Sequence, residues 1–292
     1  MIGSATAHGA ITIVNALPTG VGCALGISLP VTARVELGGR RAADGAGVEI
    51  EAPSDTPLVR ESVREAISLA PPREERPVRV AIASEIPPAR GLKSSSAVAS
   101  AVVSATLRAL GRDLPPVEVA RVAARVGRRV GLSATGAFDD ALAGLVSGFV
   151  LTDNRQDWLL SSTPVDPRLE VVLLIPPTEH RPSPEWREAF ERRADESRRA
   201  LEEAAQGRWA EAIRRNTTLV EEIMGYDYQA LREELLDQGA RACGVTGLGP
   251  TLAALVESDH ADDVLEALPE GLGERRRIPL SVGVPGPAAE VP

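Results

Sequence analysis

Lysine is almost absent from this chain: among its 32 basic side chains every one but Lys93 is an arginine. A drift toward arginine, alanine, glycine and proline accounts for the loss, and it makes the position that resisted informative. Cysteine and histidine are scarce as well. Cys23 and Cys243 stand far apart with no CxxC spacing, and His8, His180 and His260 are scattered, so neither a disulfide framework nor a zinc site is indicated. A reducing compartment is expected. Positive charge is in deficit: a net charge of −9 and a pI near 5.1 argue against a nucleic-acid groove and against adhesion to anionic lipid. Small-molecule chemistry is left. The first 33 residues carry no Asp, Glu, Lys or Arg, yet Pro18, Gly20, Gly22, Gly26 and Pro30 interrupt them well short of the roughly 20 apolar residues that span a bilayer. They read as buried strands with a functional loop. The protein is expected to be soluble and cytoplasmic, with no nucleic-acid partner and no membrane association.

What is present is a 43% hydrophobic chain that can bury a sizeable core. Short β-branched stretches bounded by glycine and proline predict strands at Ala10–Ala16, Gly26–Leu37 and Gly47–Ala52. A helix follows, with Thr56 as N-cap, Pro57 at its first position and Leu58, Val59, Val63, Ala66 and Ile67 on one face. Alternation of Val78, Val80 and Ile82 then predicts a half-buried strand. The next helix starts at "SSSA" and closes at Gly111, with Ala97, Ala101, Ala105 and Ala109 four apart. Ser183 to Gly239 is charge-rich and helical, broken at Gly207, and is expected to clothe the outside of a second domain. Arg121, Arg125 and Arg128 lie opposite Val119, Val122, Val126 and Val130; they read as a solvated helix face, with recognition of a substrate carboxylate as the alternative.

Between that half-buried strand and the serine-rich helix lies "PPARGLKSSSA". A strand, a glycine turn and an open helix start form an anion site, because the first amides of a helix lack internal acceptors and stand at the positive end of its dipole. Gly91 lets backbone approach a phosphate, the serines add hydroxyls, and Lys93 adds a mobile point charge. A buried helix whose serines merely cap it is the plainer alternative. The stretch is not a Walker A loop, since Leu92 precedes the lysine where that motif has glycine. "GVGCALG" (Gly20 to Gly26) is not a dinucleotide fingerprint either: its spacing is GxGxxxG, and Pro30 breaks the helix that should follow. Two further stretches accompany the loop. "SATGAFDDALAG" places Asp139 and Asp140 after a Thr-Gly turn, and "GVTGLGPTLAALV" supplies a second glycine loop. Adjacent acids can serve as cap partners; beside a nucleotide, one could orient or deprotonate an acceptor hydroxyl while the other holds a cation.

Together "PPARGLKSSSA", "GVTGLGPTLAAL" and the early "GAITIVNALPTGVG" resemble the second, third and first motifs of the GHMP kinases, in order over nearly the whole chain. Within that superfamily "GLKSSSA", "TGAFDD" and "VTGLGPT" resemble the archaeal-type shikimate kinases. The resemblance implies an α+β fold: a ribosomal-protein-S5-like N-terminal domain at 1–155 and a ferredoxin-like C-terminal domain at 156–292. It implies ATP and Mg²⁺ as cofactors, and transfer of the γ-phosphoryl group to the 3-hydroxyl of shikimate in aromatic amino-acid biosynthesis. Pro87, Pro88, Ala89, Arg90, Gly91, Leu92, Lys93, Ser94, Ser95, Ser96 and Ala97 would then form the ATP loop. Asp139 would be the catalytic aspartate, and Ser95 a magnesium contact. Asn15, Thr135, Asp140, Thr246 and Gly247 are the substrate candidates, although Asn15, Thr135 and Thr246 could equally bond their own turns. Many relatives carry a lysine in the first motif where Ala10 stands, and a metal-binding glutamate where "VARVAARVGRRVGLSATG" has no acid. Lys93 is therefore expected to act catalytically, supplying the phosphate-facing charge, with Asp139, Asp140 or Ser95 and waters completing the metal shell. Another GHMP acceptor such as homoserine or mevalonate, or a non-catalytic sensor on the same scaffold, remain the open alternatives.

Overall fold

The computed structural model of the chain describes residues 1–38, 55–70, 77–178, 184–280, 284–286 and 289. In chain order the first half holds β1 (Ile2–Val14), β2 (Val21–Leu37), α1 (Pro57–Ser68), β3 (Val78–Ser84), α2 (Ser94–Ala109), α3 (Pro116–Arg129), α4 (Phe138–Ala143), β4 (Val146–Ser147), β5 (Phe149–Asp153) and β6 (Trp158–Thr163). The second holds β7 (Leu169–Ile175), α5 (Pro184–Arg192), α6 (Ala194–Ala205), α7 (Trp209–Met224), α8 (Gln229–Asp237), β8 (Ala240–Val245), β9 (Leu252–Glu257), α9 (Ala261–Ala267), β10 (Glu274–Pro279) and β11 (Val284–Pro285). The expected strand at Gly47–Ala52, His180 and the helix-start Ser183 lie outside the described residues.

β1 and β2 make one long antiparallel hairpin, and both run further than their expected spans. The reason is visible in β1, where Gly3, Ala5 and Ala7 are buried while Ile2, Ser4 and Thr6 are exposed. A period of two carried by small residues is a weak hydrophobic signal, although it builds a regular strand. β2 then serves two neighbours: Val31–Leu37 pairs with β3 and Val21–Leu25 with β5, which pairs with β6. The expected 155/156 boundary falls in the turn between β5 and β6, and β6 continues the first sheet. The second sheet has the antiparallel order β10-β7-β9-β8. With β7 to β10 as strands one to four, this is the four-one-three-two order of a ferredoxin-like layer.

The helix ends follow their local chemistry. Thr56 accepts from the Val59 amide and Pro57 opens α1; Gly111, at φ 76°, closes α2, and Gly207, at φ 76°, separates α6 from α7. One expectation is corrected here. α6 and α7 do not simply clothe the outside of the second sheet, because both also contact β1. One hydrophobic core therefore runs through both halves, joining Ile13 and Leu25 to Ala200, Ile213, Leu173 and Leu255. Phe149 of β5 stacks on Trp209 of α7 with ring centroids 5.2 Å apart. These contacts bury apolar surface worth about 1.5–3 kcal/mol for each large side chain, and they fix the two halves around the loops between them.

α2 lies so close to β1 that a Cβ on Gly3 would collide with the Ala105 carbonyl and the Ala109 amide. Gly3→Ala should therefore push the helix off the sheet and lower the unfolding free energy by about 1–3 kcal/mol. Urea titration followed by circular dichroism measures this.

Candidate active site

The loop leaving β3 places Ala89, Gly91 and Lys93 in the left-handed region at φ 54°, 81° and 65°, with Arg90 and Leu92 outside it. Alternating handedness of this kind turns successive amides toward one side and favours an anion. Lys93 sits at the N-cap of α2 and contributes no side-chain cap, so the amides of Ser94, Ser95 and Ser96 open the helix without a local side-chain acceptor. Ser95 is exposed and Ala97 buried. At the other end, Pro87 and Arg90 line a cleft of about 480 Å³ with Pro176, Pro177, Gly273 and Glu274, and Arg90 donates to the Pro177 carbonyl at 2.6 Å.

Two stretches distant in sequence, the end of β1 with its turn and the β8–β9 loop, are bolted to each other and to this loop. Thr246 accepts from the Thr12 amide at 3.0 Å and donates to the Gly91 carbonyl at 3.0 Å. The Gly247 amide donates to Thr12 Oγ1 at 3.0 Å, and Asn15 Nδ2 donates to the Gly247 carbonyl at 3.2 Å. Asn216 of α7 accepts from the Asn15 amide at 2.9 Å. A Cβ on Gly91 would collide with the Thr246 carbonyl, so glycine is required there by close approach as well as by φ. The bulge of β1 at His8/Gly9 frees its edge for the same purpose: His8 donates to the Gly144 carbonyl at 2.8 Å and Ala10 to the Leu92 carbonyl at 3.4 Å.

Against this frame stand the acids. Lys93 Nζ lies 3.0 Å from Asp140 Oδ1, both side chains 13% exposed. That oxygen has no aligned hydrogen-bond donor, so the contact is one of charge. Asp139 is buried, and Asn154 grips it twice: Asn154 Nδ2 donates to Asp139 Oδ1 at 2.7 Å, and Asn154 Oδ1 accepts from the Asp139 amide at 3.1 Å. Thr152 Oγ1 donates to the same Asn154 oxygen at 2.6 Å, which fixes the amide's orientation. The other carboxylate oxygen, Oδ2, occupies the space that a Cβ of Gly22 would fill. Burial pushes the Asp139 carboxyl from 3.8 up to about 7, helped by the charge of Asp140 and opposed by Lys93 and Asn154. A carboxylate poised near neutrality beside an ammonium and an open helix start is equipped to receive a proton from a hydroxyl that attacks a phosphate.

Two family models match the chain, the GHMP kinases N terminal domain over residues 58–148 and the GHMP kinases C terminal domain over residues 188–273. The chain belongs to the GHMP kinases. This GHMP kinase is 35% identical to a shikimate kinase of Methanosarcina acetivorans over 91% of this chain and 88% of that one. It is 37% identical to a shikimate kinase of Methanothrix thermoacetophila, covering 91% and 90%. Its fold superposes on a mevalonate kinase of Methanococcus jannaschii with a TM-score of 0.72 at 12% identity, covering 96% and 98%. A homoserine kinase of Cytophaga hutchinsonii gives 0.69 at 19% identity, covering 97% and 96%.

The GHMP kinase brings Lys93, Asp139 and Asp140 together at the start of α2, while Asn15, Thr246 and Gly247 spend their polar groups on the loop lock. Thr135 accepts from the Ala137 amide at 3.3 Å, bonding its own turn. Ala10 is fully buried. The solvated reading of the α3 arginines is corrected: Arg128 binds Asp157 at 2.9 and 2.5 Å, and Arg121 donates to the Asp157 carbonyl at 3.1 Å. Among the described residues no three of His, Cys, Asp and Glu gather to hold a metal, and no helix is long and apolar enough to cross a membrane. Sequence reading missed Asn154, Thr152 and Gly22. "TDNRQDW" looks like an ordinary hairpin turn, which hides the asparagine.

Between pH 3.8 and about 7 the folded chain holds a proton on Asp139 that the unfolded chain has released. The stability this group contributes is therefore lost as the pH rises through that window. Asp139→Asn should match the parent near pH 4 and exceed it at pH 8, by up to roughly 4 kcal/mol, as read by urea unfolding at the two pH values.

Proposed function

We propose that this GHMP kinase transfers the γ-phosphoryl group of ATP to the 3-hydroxyl of shikimate, giving ADP and shikimate 3-phosphate in the cytoplasm as a step of aromatic amino-acid biosynthesis. The observation that carries the reaction is the buried Asp139, held by Asn154 beside the Lys93–Asp140 contact at the open end of α2. The acceptor rests on the near full-length similarity to the archaeal shikimate kinases.

In this reading the Pro87–Ala97 loop receives the phosphates on its amides and the Ser94, Ser95 and Ser96 hydroxyls, and Lys93 places its ammonium over the β/γ oxygens. Ala10 leaves no charge in the first motif, so Lys93 fills that role from the loop side. The 3-hydroxyl oxygen forms the new bond to phosphorus as the bond to the β-phosphate oxygen breaks, and its proton passes to Asp139. Burial favours the neutral acid that results. A Mg²⁺ ion commonly keeps its waters and takes one or two protein oxygens beside the nucleotide's own. The donor set fits that pattern, with the Ser95 hydroxyl and the poorly aligned Asp140 Oδ1 as the protein contacts. Bound there, Mg²⁺ supplies charge neutralisation on the β/γ oxygens.

Steady-state ADP release with ATP and Mg²⁺ across shikimate, homoserine and mevalonate tests the proposal. Shikimate should support turnover at least about 100-fold faster than the other two, and Asp139→Asn should lower kcat by at least about 100-fold. Preference for another acceptor would overturn the substrate, and an unaffected variant would overturn the role of Asp139.

A further inference from the structure

An acceptor that carries a carboxylate needs a cation at a fixed separation from the hydroxyl it presents to Asp139. The obvious cations are engaged. Lys93 faces Asp140, Arg128 is held by Asp157, Arg121 by Glu118 and the Asp157 carbonyl, and Arg125 by Glu65. Arg155 differs from all of these. It is exposed, and among the described residues no acid or carbonyl meets its guanidinium.

The side chain is nevertheless seated. Its stem crosses Gly20, where a Cβ would come within 2.8 Å of Cγ and 2.9 Å of Cδ and would collide with Nε. Gly20 holds φ 79°, a conformation that favours glycine for a second reason. Two residues on, Gly22 leaves the space that Asp139 Oδ2 fills. Two positions without a side chain thus seat the guanidinium and the catalytic carboxylate on one short stretch, with Cα atoms at most about 7 Å apart. Asn154 ties the group together, since its amide donates to the Gly20 carbonyl at 2.8 Å while its side chain holds Asp139.

We propose that Arg155 reads the carboxylate of the acceptor and so presents the 3-hydroxyl of shikimate to Asp139, a proposal that rests on the shikimate reading above. In shikimate the carboxylate-bearing carbon and the 3-hydroxyl carbon are separated by one ring atom, so a cation seated over Gly20 and an acid seated over Gly22 would address two neighbouring groups of one small ring. The guanidinium fork matches a carboxylate with two parallel hydrogen bonds. Exposure before binding keeps the cation hydrated and available, while the stem packed on Gly20 limits the freedom it loses on binding.

The test compares shikimate with its methyl ester on the full-length chain and on Arg155→Ala and Arg155→Lys. Arg155→Ala should raise the KM for shikimate by about 10- to 100-fold while leaving the KM for ATP within about twofold, a control that the variant is folded. The ester should bind the parent and the Ala variant alike, and Arg155→Lys should recover part of the loss on the acid. An unchanged KM for the acid, or equal losses on acid and ester, would overturn the assignment of Arg155 while leaving the kinase reading intact. A parent chain idle on shikimate would overturn both.

Discussion

One contact stands at the centre of the site, a compact ammonium between an acid and a glycine loop. Lys93 Nζ stands 3.0 Å from Asp140 Oδ1, and a Cβ on Gly247 would come within 3.4 Å of the same nitrogen. The lysine's own backbone is left-handed, so the residue also forms the corner where the loop becomes α2. A guanidinium is longer, planar and forked, and it would meet Asp140 and the Gly247 loop with a different shape and reach. In a chain whose other basic side chains are all arginine, the one lysine stands at this corner. The same charge opposes the rise in the Asp139 pKa, so its position also sets how readily the neighbouring acid ionises.

Holding that corner takes both halves of the molecule. The loop that carries Lys93 is tied through Gly91 and Thr246 to the β8–β9 connection, and through Thr12 and Asn15 to the β1 hairpin and to Asn216 of α7. Such ties are rigid only if the layers behind them are, and the shared core supplies this. α6 and α7 lie against β1, and Phe149 stacks on Trp209 across the seam. Preorganised donors and charges act in a transition state without reorganising, which is where electrostatic catalysis gains most.

Features set by local chemistry were legible in the sequence. Thr56, Pro57, Gly111 and Gly207 each mark a helix end through capping, a fixed φ or a left-handed backbone, and each stands where expected. The glycine-serine loop and the paired aspartates were legible as local patterns too, a glycine turn opening α2 and two acids in the first turn of α4. Asn154 was not, because its role exists only once β2 and β5 pair and bring residue 154 beside residue 139. Gly22 was hidden likewise, since a glycine in a strand does not reveal what fills the space of its absent side chain. Arg128 shows the opposite failure. Helical spacing puts it on a polar face, but the turn at Asp157 folds over that face and claims it.

Replacement of the single lysine tests the account most directly: kcat for Lys93→Arg, measured with saturating ATP and acceptor. Charge is kept and only shape changes, so a site that requires a compact ammonium in this corner should lose about 100-fold or more in kcat, with acceptor KM changed little. A variant that keeps full turnover would contradict the account.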